Sequence, residues 1–192
     1  MTDLLTRVMA TEPEADAAVA RILDAGYDQI MRYGLRRTTV DDVARRARLG
    51  RATVYRRFPQ KDQLIEAVLL RECRRFLEQL DAAIGSRPDP RARIVEGYLA
   101  AMRLGRHHPL LRRLLDLEPE TALPHLTTYA GPVLAMCRRY VARLLGTDEV
   151  AAEVLVRLVH SLLLTPEGLI PTDGEAAREF ARDRVVPAAV GL

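Results

Sequence analysis

A chain of 192 residues, 48% of them hydrophobic, has enough apolar material for one large domain or a small domain joined to a larger one, which excludes wholesale disorder. Aromatic residues make up only 5% and tryptophan is absent, so the core must be built from Leu, Val, Ala and Ile. The net charge of +3 hides a local bias: between Arg32 and Lys61 ten basic residues meet only Asp41 and Asp42, a segment of +8 that leaves −5 on the remainder. A basic surface on an otherwise acidic chain points to a polyanion at one end. With 28 arginines to one lysine, arginine clusters arise easily, but composition does not explain why acids avoid that segment.

Residues 1–7 lack the apolar stretch and cleavage site of a signal peptide. No run approaches the roughly 18 apolar residues that span a bilayer. A cytoplasmic protein with no membrane partner is therefore expected. Cys73 and Cys137 lie far apart in sequence and lack CxxC or Cys/His spacing, so they read as reduced, buried thiols. His107 and His108 are adjacent and point in different directions, and His125 and His160 lack ligand spacing, so neither metal nor cofactor is expected.

Helical periodicity runs almost throughout and no stretch sustains the alternation of a strand, which predicts an all-α fold of about nine helices. The first helix spans Asp16 to about Arg32, with Val19, Ile22, Leu23, Gly26 and Ile30 inward and Gly34 at its C-terminal glycine position. The second begins at Thr39, where Thr39 and Asp42 form a Thr-x-x-Asp capping box. Its apolar positions Val40, Val43, Ala44 and Ala47 fall at i, i+3, i+4, i+7. After Arg48-Leu49-Gly50 a third helix runs from Arg51 to Phe58, with Val54 and Phe58 inward, and Pro59 ends it. A long fourth helix follows from Lys61 to about Ile84. Asp89-Pro90 opens a fifth, reaching about Leu104, and His108-Pro109 a short sixth. The prolines between Glu118 and Pro132 predict broken helix. Three more helices are expected: one to Leu145, then Asp148 to Leu164, then Asp173 to Val186.

Two short helices joined by a tight turn and packed on a third form a helix-turn-helix. The second must be slim at its start to enter the major groove, with cations and helix N-termini meeting phosphates on either side. Arg51-Ala52-Thr53 meets that need, Arg56 and Arg57 follow one turn later, and Lys61 opens the next helix. Thr39-Val40-Asp41-Asp42-Val43-Ala44, followed by Ala52-Thr53-Val54-Tyr55-Arg56-Arg57-Phe58-Pro59-Gln60-Lys61-Asp62-Gln63-Leu64, resembles the N-terminal domain of TetR-family repressors. The likeness extends over roughly Asp16 to Phe76.

That resemblance implies phosphate contacts for Tyr55 and Lys61, backbone contact at the helix start Thr39-Val40, and places at the groove for Ala52, Thr53, Arg56 and Arg57. With Arg48, Gly50 and Arg51 these make up the expected DNA-facing set. It also implies a helix-turn-helix domain over residues 10–60, a helical ligand-binding and dimerisation domain over 61–192, and helix 61–84 linking them. The turn departs from the family's Ala-Gly-Val-Ser-x-Gly pattern: Arg48 replaces its glycine and Gly50 its capping serine. Glycine is a tolerable N-cap, a few tenths of a kcal/mol poorer than serine. Arginine in a left-handed turn position costs about 1 kcal/mol or more, which predicts a reshaped turn. Arg57 stands where His or Tyr is more usual. On the residues alone, Tyr55 fits either packing or exposure, and Arg45 and Arg46 either a solvated face or DNA contacts.

In the C-terminal half, Val154, Leu155, Leu158, Val159, Leu162 and Leu163 form an apolar stripe wider than one face needs. With Phe180, Val185 and Val186 it suggests a four-helix homodimer interface across a two-fold axis; an internal core helix is the other reading. Tyr98, Met102, His107, Tyr129, Met136 and Cys137 are candidate lining for a small, mostly apolar effector, though each alone also reads as core. The expected function is repression from a palindromic duplex operator, relieved by that effector. A regulator controlled by a protein partner instead of a small molecule is the alternative. An all-helical enzyme is the remote one, with no Gly-rich phosphate loop, HExxH or clustered acid pair to support it.

Overall fold

The computed structural model describes residues 17–190. These form ten helices: α1 (Ala17–Arg37), α2 (Val40–Ala47), α3 (Arg51–Arg57), α4 (Lys61–Ile84), α5 (Pro90–Arg106), α6 (Pro109–Leu117), α7 (Pro119–Leu126), α8 (Gly131–Leu145), α9 (Glu149–Leu164) and α10. The last runs as Gly174–Phe180, a π-turn Ala181–Val185, and Val186–Val190. The all-α expectation holds. The expected helix start at Asp16 and residues 10–15 of the expected first domain lie outside the described residues. No helix among the described residues is long and apolar enough to cross a membrane.

The extra helix is α7, where broken helix was expected. Pro119 sits in its first turn, where a missing N–H is harmless, and Pro124 removes only one bond of so short a helix. In α10 the Val186 N–H reaches back five residues to the Ala181 carbonyl. That widened turn lies just ahead of Pro187, which has no N–H and whose ring crowds the carbonyl four residues back.

The chain divides into two compact units that are not contiguous in sequence: residues 17–72 with Arg113–Pro132, and Cys73–Arg112 with 133–190. The boundary expected at residue 60 differs from this division, because the start of α4 and the α6–α7 corner belong with α1–α3. In the first unit, Ile22 and Ile30 of α1, Val43 of α2, Val54 of α3, Leu64 and Val68 of α4 and Leu114 of α6 are each at most 1% exposed. Gly26 lets α1 and α4 approach closely, since a Cβ there would lie 2.9 Å from the Val68 side chain.

Gly34 bends α1 at φ 83, ψ 172, a conformation open to glycine alone. The carboxylate of Glu118 fills the space a side chain would need, and it accepts the Leu35 N–H at 2.6 Å. Arg113 donates through Nε to the Met31 carbonyl at 3.1 Å. The α6–α7 corner thus satisfies the Met31 carbonyl and the Leu35 N–H, the pair that the break at Gly34 leaves unjoined in α1.

In the second unit, Ile94, Val95, Tyr98 and Met102 of α5 pack with Leu155 and Leu162 of α9 and with Ala177, Ala181, Val185 and Val186 of α10. Ala177 and Ala181 are fully buried, so α10 lies close against its neighbours. Asp89 and Asp148 cap α5 and α9 as their sequence positions predict, accepting from Arg91 N–H and from Val150 and Ala151 N–H. Those two bonds hold the Asp148 carboxyl below the usual carboxylate range.

Candidate nucleic-acid interface

The interface is assembled from the ends of α2, α3 and α4. At the start of α2, Thr39 is extended and its hydroxyl oxygen accepts the Asp42 N–H at 3.1 Å. The Asp42 carboxylate takes the hydroxyl proton of Thr39 at 2.5 Å, so the return bond of the expected capping box runs to the side chain. Thr39 stays exposed. The Val40 side chain is 5% exposed and belongs to the core, so within the expected DNA-facing set this residue offers its main chain.

The turn between α2 and α3 keeps the left-handed geometry that glycine normally supplies, and Arg48 adopts it at φ 53, ψ 46. The Arg48 N–H bonds the Arg45 carbonyl at 3.1 Å and the Leu49 N–H bonds the Ala44 carbonyl at 3.0 Å, the paired closure of a Schellman motif. The expected reshaping does not occur. Arg21 of α1 explains part of this, because its guanidinium donates to the carbonyls of Ala47 and Arg48. Arg48→Gly is therefore expected to raise stability by about 1 kcal/mol, a gain of about 2–4 °C in melting temperature. If the Arg48 side chain meets phosphate, the same variant binds duplex DNA more weakly; equal affinity would remove Arg48 from the interface.

Gly50 caps α3 through its backbone alone, its carbonyl accepting the Thr53 N–H at 3.0 Å. Val54 and Phe58 face inward at 0% and 3% exposure. The opposite face carries Arg51, Ala52, Tyr55 and Arg56, all exposed, with Arg57 exposed and Thr53 half-buried at its edges. Tyr55 is 44% exposed, which settles its side chain outside the core. Lys61, at the start of α4, donates to the Arg36 carbonyl at 3.0 Å and so joins the end of α1 to this surface.

The two acids of the segment are already engaged, Asp42 with Arg45 and Asp41 with Arg51 at 3.1 Å, while Asp28 of α1 takes Arg46 at 3.1 Å. Arg45 is thus tied to an acid of its own helix and Arg46 to Asp28 of α1. In the Arg51–Asp41 pair the guanidinium is exposed and the carboxylate half-buried, and pairs at the surface contribute about 0–1 kcal/mol, so phosphate can compete for that guanidinium.

The other expected sites fare differently. Of the candidate effector lining, Met102 is fully buried in the second unit's core and Tyr98 packs on Phe180 with its hydroxyl donating to the Pro171 carbonyl at 2.8 Å. His107 is exposed and bonds the Arg103 carbonyl. Tyr129 is 65% exposed and lies in the first unit. Met136 and Cys137 lie on α8. Of the expected dimer residues, Leu155, Leu162 and Val185 are buried in the chain's own core, and Leu158 and Phe180 pack against it. Only Val154 stands out, 44% exposed, one turn beyond Val150 at 68%. Among the described residues, no three His, Cys, Asp or Glu side chains come together as a metal site.

Sequence reasoning missed Arg21 and Glu118, because neither stands in the motif and each acts on residues distant in sequence. A short helix with a buried back and a cationic, aromatic-tipped front, set by a tight turn against a capped partner, defines a helix-turn-helix DNA-binding protein. Residues 22–68 match the family model for bacterial regulatory proteins of the tetR family. The chain is 30% identical to the HTH-type transcriptional repressor SCO4008 of Streptomyces coelicolor, over 94% of this chain and 96% of that one. Its fold is similar to that of the TetR family repressor AlkX from Dietzia sp. (TM-score 0.66, 23% identity, 88% of this chain and 92% of that one). It is also similar to the repressor QsdR of R. erythropolis (TM-score 0.64, 22% identity, 91% and 95%). The chain belongs to the TetR family of bacterial transcriptional regulators.

Proposed function

We propose that the chain is a cytoplasmic homodimeric repressor that holds a palindromic operator through α3 of each protomer. The observation that carries this is the exposed row Arg51, Ala52, Tyr55 and Arg56 on α3, beside Thr39 and Lys61 at the two flanking helix starts. In that arrangement Tyr55, Lys61, Arg48 and the α2 start hold phosphates and position the helix, while Thr53 and Arg56 read base edges. Gly50 and Ala52 keep the leading end of α3 slim enough for the groove. Residues 10–60 are proposed as the DNA-reading part and 61–192 as the dimerisation and effector part, with α4 common to both. Duplexes recovered from genomic DNA by the full chain should share a palindrome with half-site centres about 34–36 Å apart or further. Recovery of unrelated sequences without symmetry would overturn the reading.

Dimerisation is proposed through the outer strip of α9, where Val150 and Val154 are exposed. A glutamate at Leu158 is a poor probe, because that side chain packs on the chain's own core. Val154→Glu leaves the core intact and is expected to convert a micromolar dimer to monomer in sedimentation, with the melting temperature little changed. A dimer that survives this substitution would move the interface elsewhere.

Release from DNA by a small, mostly apolar effector is proposed on family membership. A hundredfold loss of DNA affinity needs about 2.7 kcal/mol of coupling, and operator DNA must weaken effector binding by the same factor. The second reading is release governed by a protein partner. A metabolite screen for compounds that shift both melting temperature and operator affinity separates the two.

A further inference from the structure

We propose that Cys73 and Cys137 form a reversible thiol–disulfide site within the second unit, oxidised by hydroperoxides. The two cysteines are 64 positions apart, on α4 and α8, yet their sulfur atoms are 3.3 Å apart. Closing them to a disulfide requires an approach of about 1.3 Å, within reach of small side-chain rotations. The two helices also meet at a second point, where the Tyr140 hydroxyl donates to the Asp81 carboxylate at 3.1 Å. Both cysteines are half-buried, which leaves a path for a small oxidant.

The pair is chemically unequal. The bond from Cys73 holds the Cys137 thiol below its ordinary value. That same bond, with burial, pushes the Cys73 thiol well above its own. Either sulfur can lead across this contact, because the thiolate is the nucleophile, and the steps are alike from Cys137. Its thiolate attacks a hydroperoxide oxygen: an S–O bond forms, the O–O bond breaks, and the leaving alkoxide takes a proton to become alcohol or water. Cys73 then attacks the Cys137 sulfenic acid; the S–S bond forms, the S–O bond breaks, and water leaves with the Cys73 proton. The dithiol loses two electrons and the hydroperoxide gains them. Two equivalents of a small thiol restore the reduced pair by exchange. This site is independent of the DNA-binding reading and of any effector.

The test uses the reduced full chain, treated with a few equivalents of hydrogen peroxide. Both free thiols should disappear together, the non-reduced monomer should lose the mass of two hydrogens, and a cross-linked peptide should join Cys73 to Cys137. Dithiothreitol should reverse all three. The oxidised monomer should melt about 5–15 °C higher than the reduced one. Cys73→Ser or Cys137→Ser should leave on the remaining cysteine a sulfenic acid that a dimedone probe traps. Thiols that survive peroxide, cross-links only between chains, or sulfinic acid without a disulfide in the wild type would overturn the proposal.

Discussion

Gly34→Ala is expected to destabilise the first unit by about 3 kcal/mol, the largest effect of any single-methyl substitution considered in this chain. At φ 83, ψ 172 the residue occupies backbone space that alanine enters only under strain of about 1–3 kcal/mol. The new Cβ would lie 2.1 Å from a carboxylate oxygen of Glu118, so that flexible side chain swings away. Its departure strands the N–H of Leu35, a residue 0% exposed, and an unpaired buried donor costs about 1–3 kcal/mol. Because the two losses share Glu118, they are not additive. Glu118→Ala alone should cost about 1–2 kcal/mol, and Gly34→Ala should cost about 1 kcal/mol less in that background. Urea unfolding of the four proteins checks the cycle; a Gly34→Ala protein within 0.5 kcal/mol of wild type would contradict it.

Arg56→Glu is expected to leave folding unchanged and to weaken duplex binding roughly hundredfold or more, about 2.7 kcal/mol. Arg56 is exposed on the outer face of α3, one position beyond Tyr55, so the substitution should shift stability by no more than about 0.5 kcal/mol. On DNA it removes a cation from the groove and puts an anion among phosphates, and a lost bidentate base contact alone is worth about 1–3 kcal/mol. Fluorescence anisotropy with a recovered duplex measures the loss, and the melting curve of the same sample reports folding. An affinity within threefold of wild type would place Arg56 outside the interface.

The parts of the molecule legible in the sequence are those set by neighbours along the chain. Thr39 and Asp42 announce the start of α2, Val40, Val43, Ala44 and Ala47 its buried face, and Asp89-Pro90 the start of α5. The same periodicity that placed α2 also buries Val40, and its placement among DNA contacts came from the family pattern, not from the spacing. The illegible parts depend on residues brought together from afar. Arg21 reaches the α2 carbonyls across 26 positions, Glu118 reaches Leu35 across 83, and Cys73 meets Cys137 across 64. On the double-width stripe of α9, Leu155 and Leu162 turn to α5 and α10 of the same chain, while Val154 stays exposed. Leu155 and Leu162 are indistinguishable in sequence from interface residues, as Met102 is from a pocket wall. The left-handed Arg48 shows the reverse case: local preference argued for another turn, and the Arg21 contacts with the Schellman closure prevail over it.

The salt dependence of duplex binding by wild type and Lys61→Ala tests most directly whether the α2–α3–α4 surface sits on phosphates. Each phosphate neutralised contributes a slope of about −0.9 to log K against log salt. Lys61 should supply one such contact, so Lys61→Ala should bind every duplex more weakly and with a slope shallower by about 1. A wild-type affinity that does not change with salt, or a Lys61→Ala slope equal to that of wild type, would contradict the account.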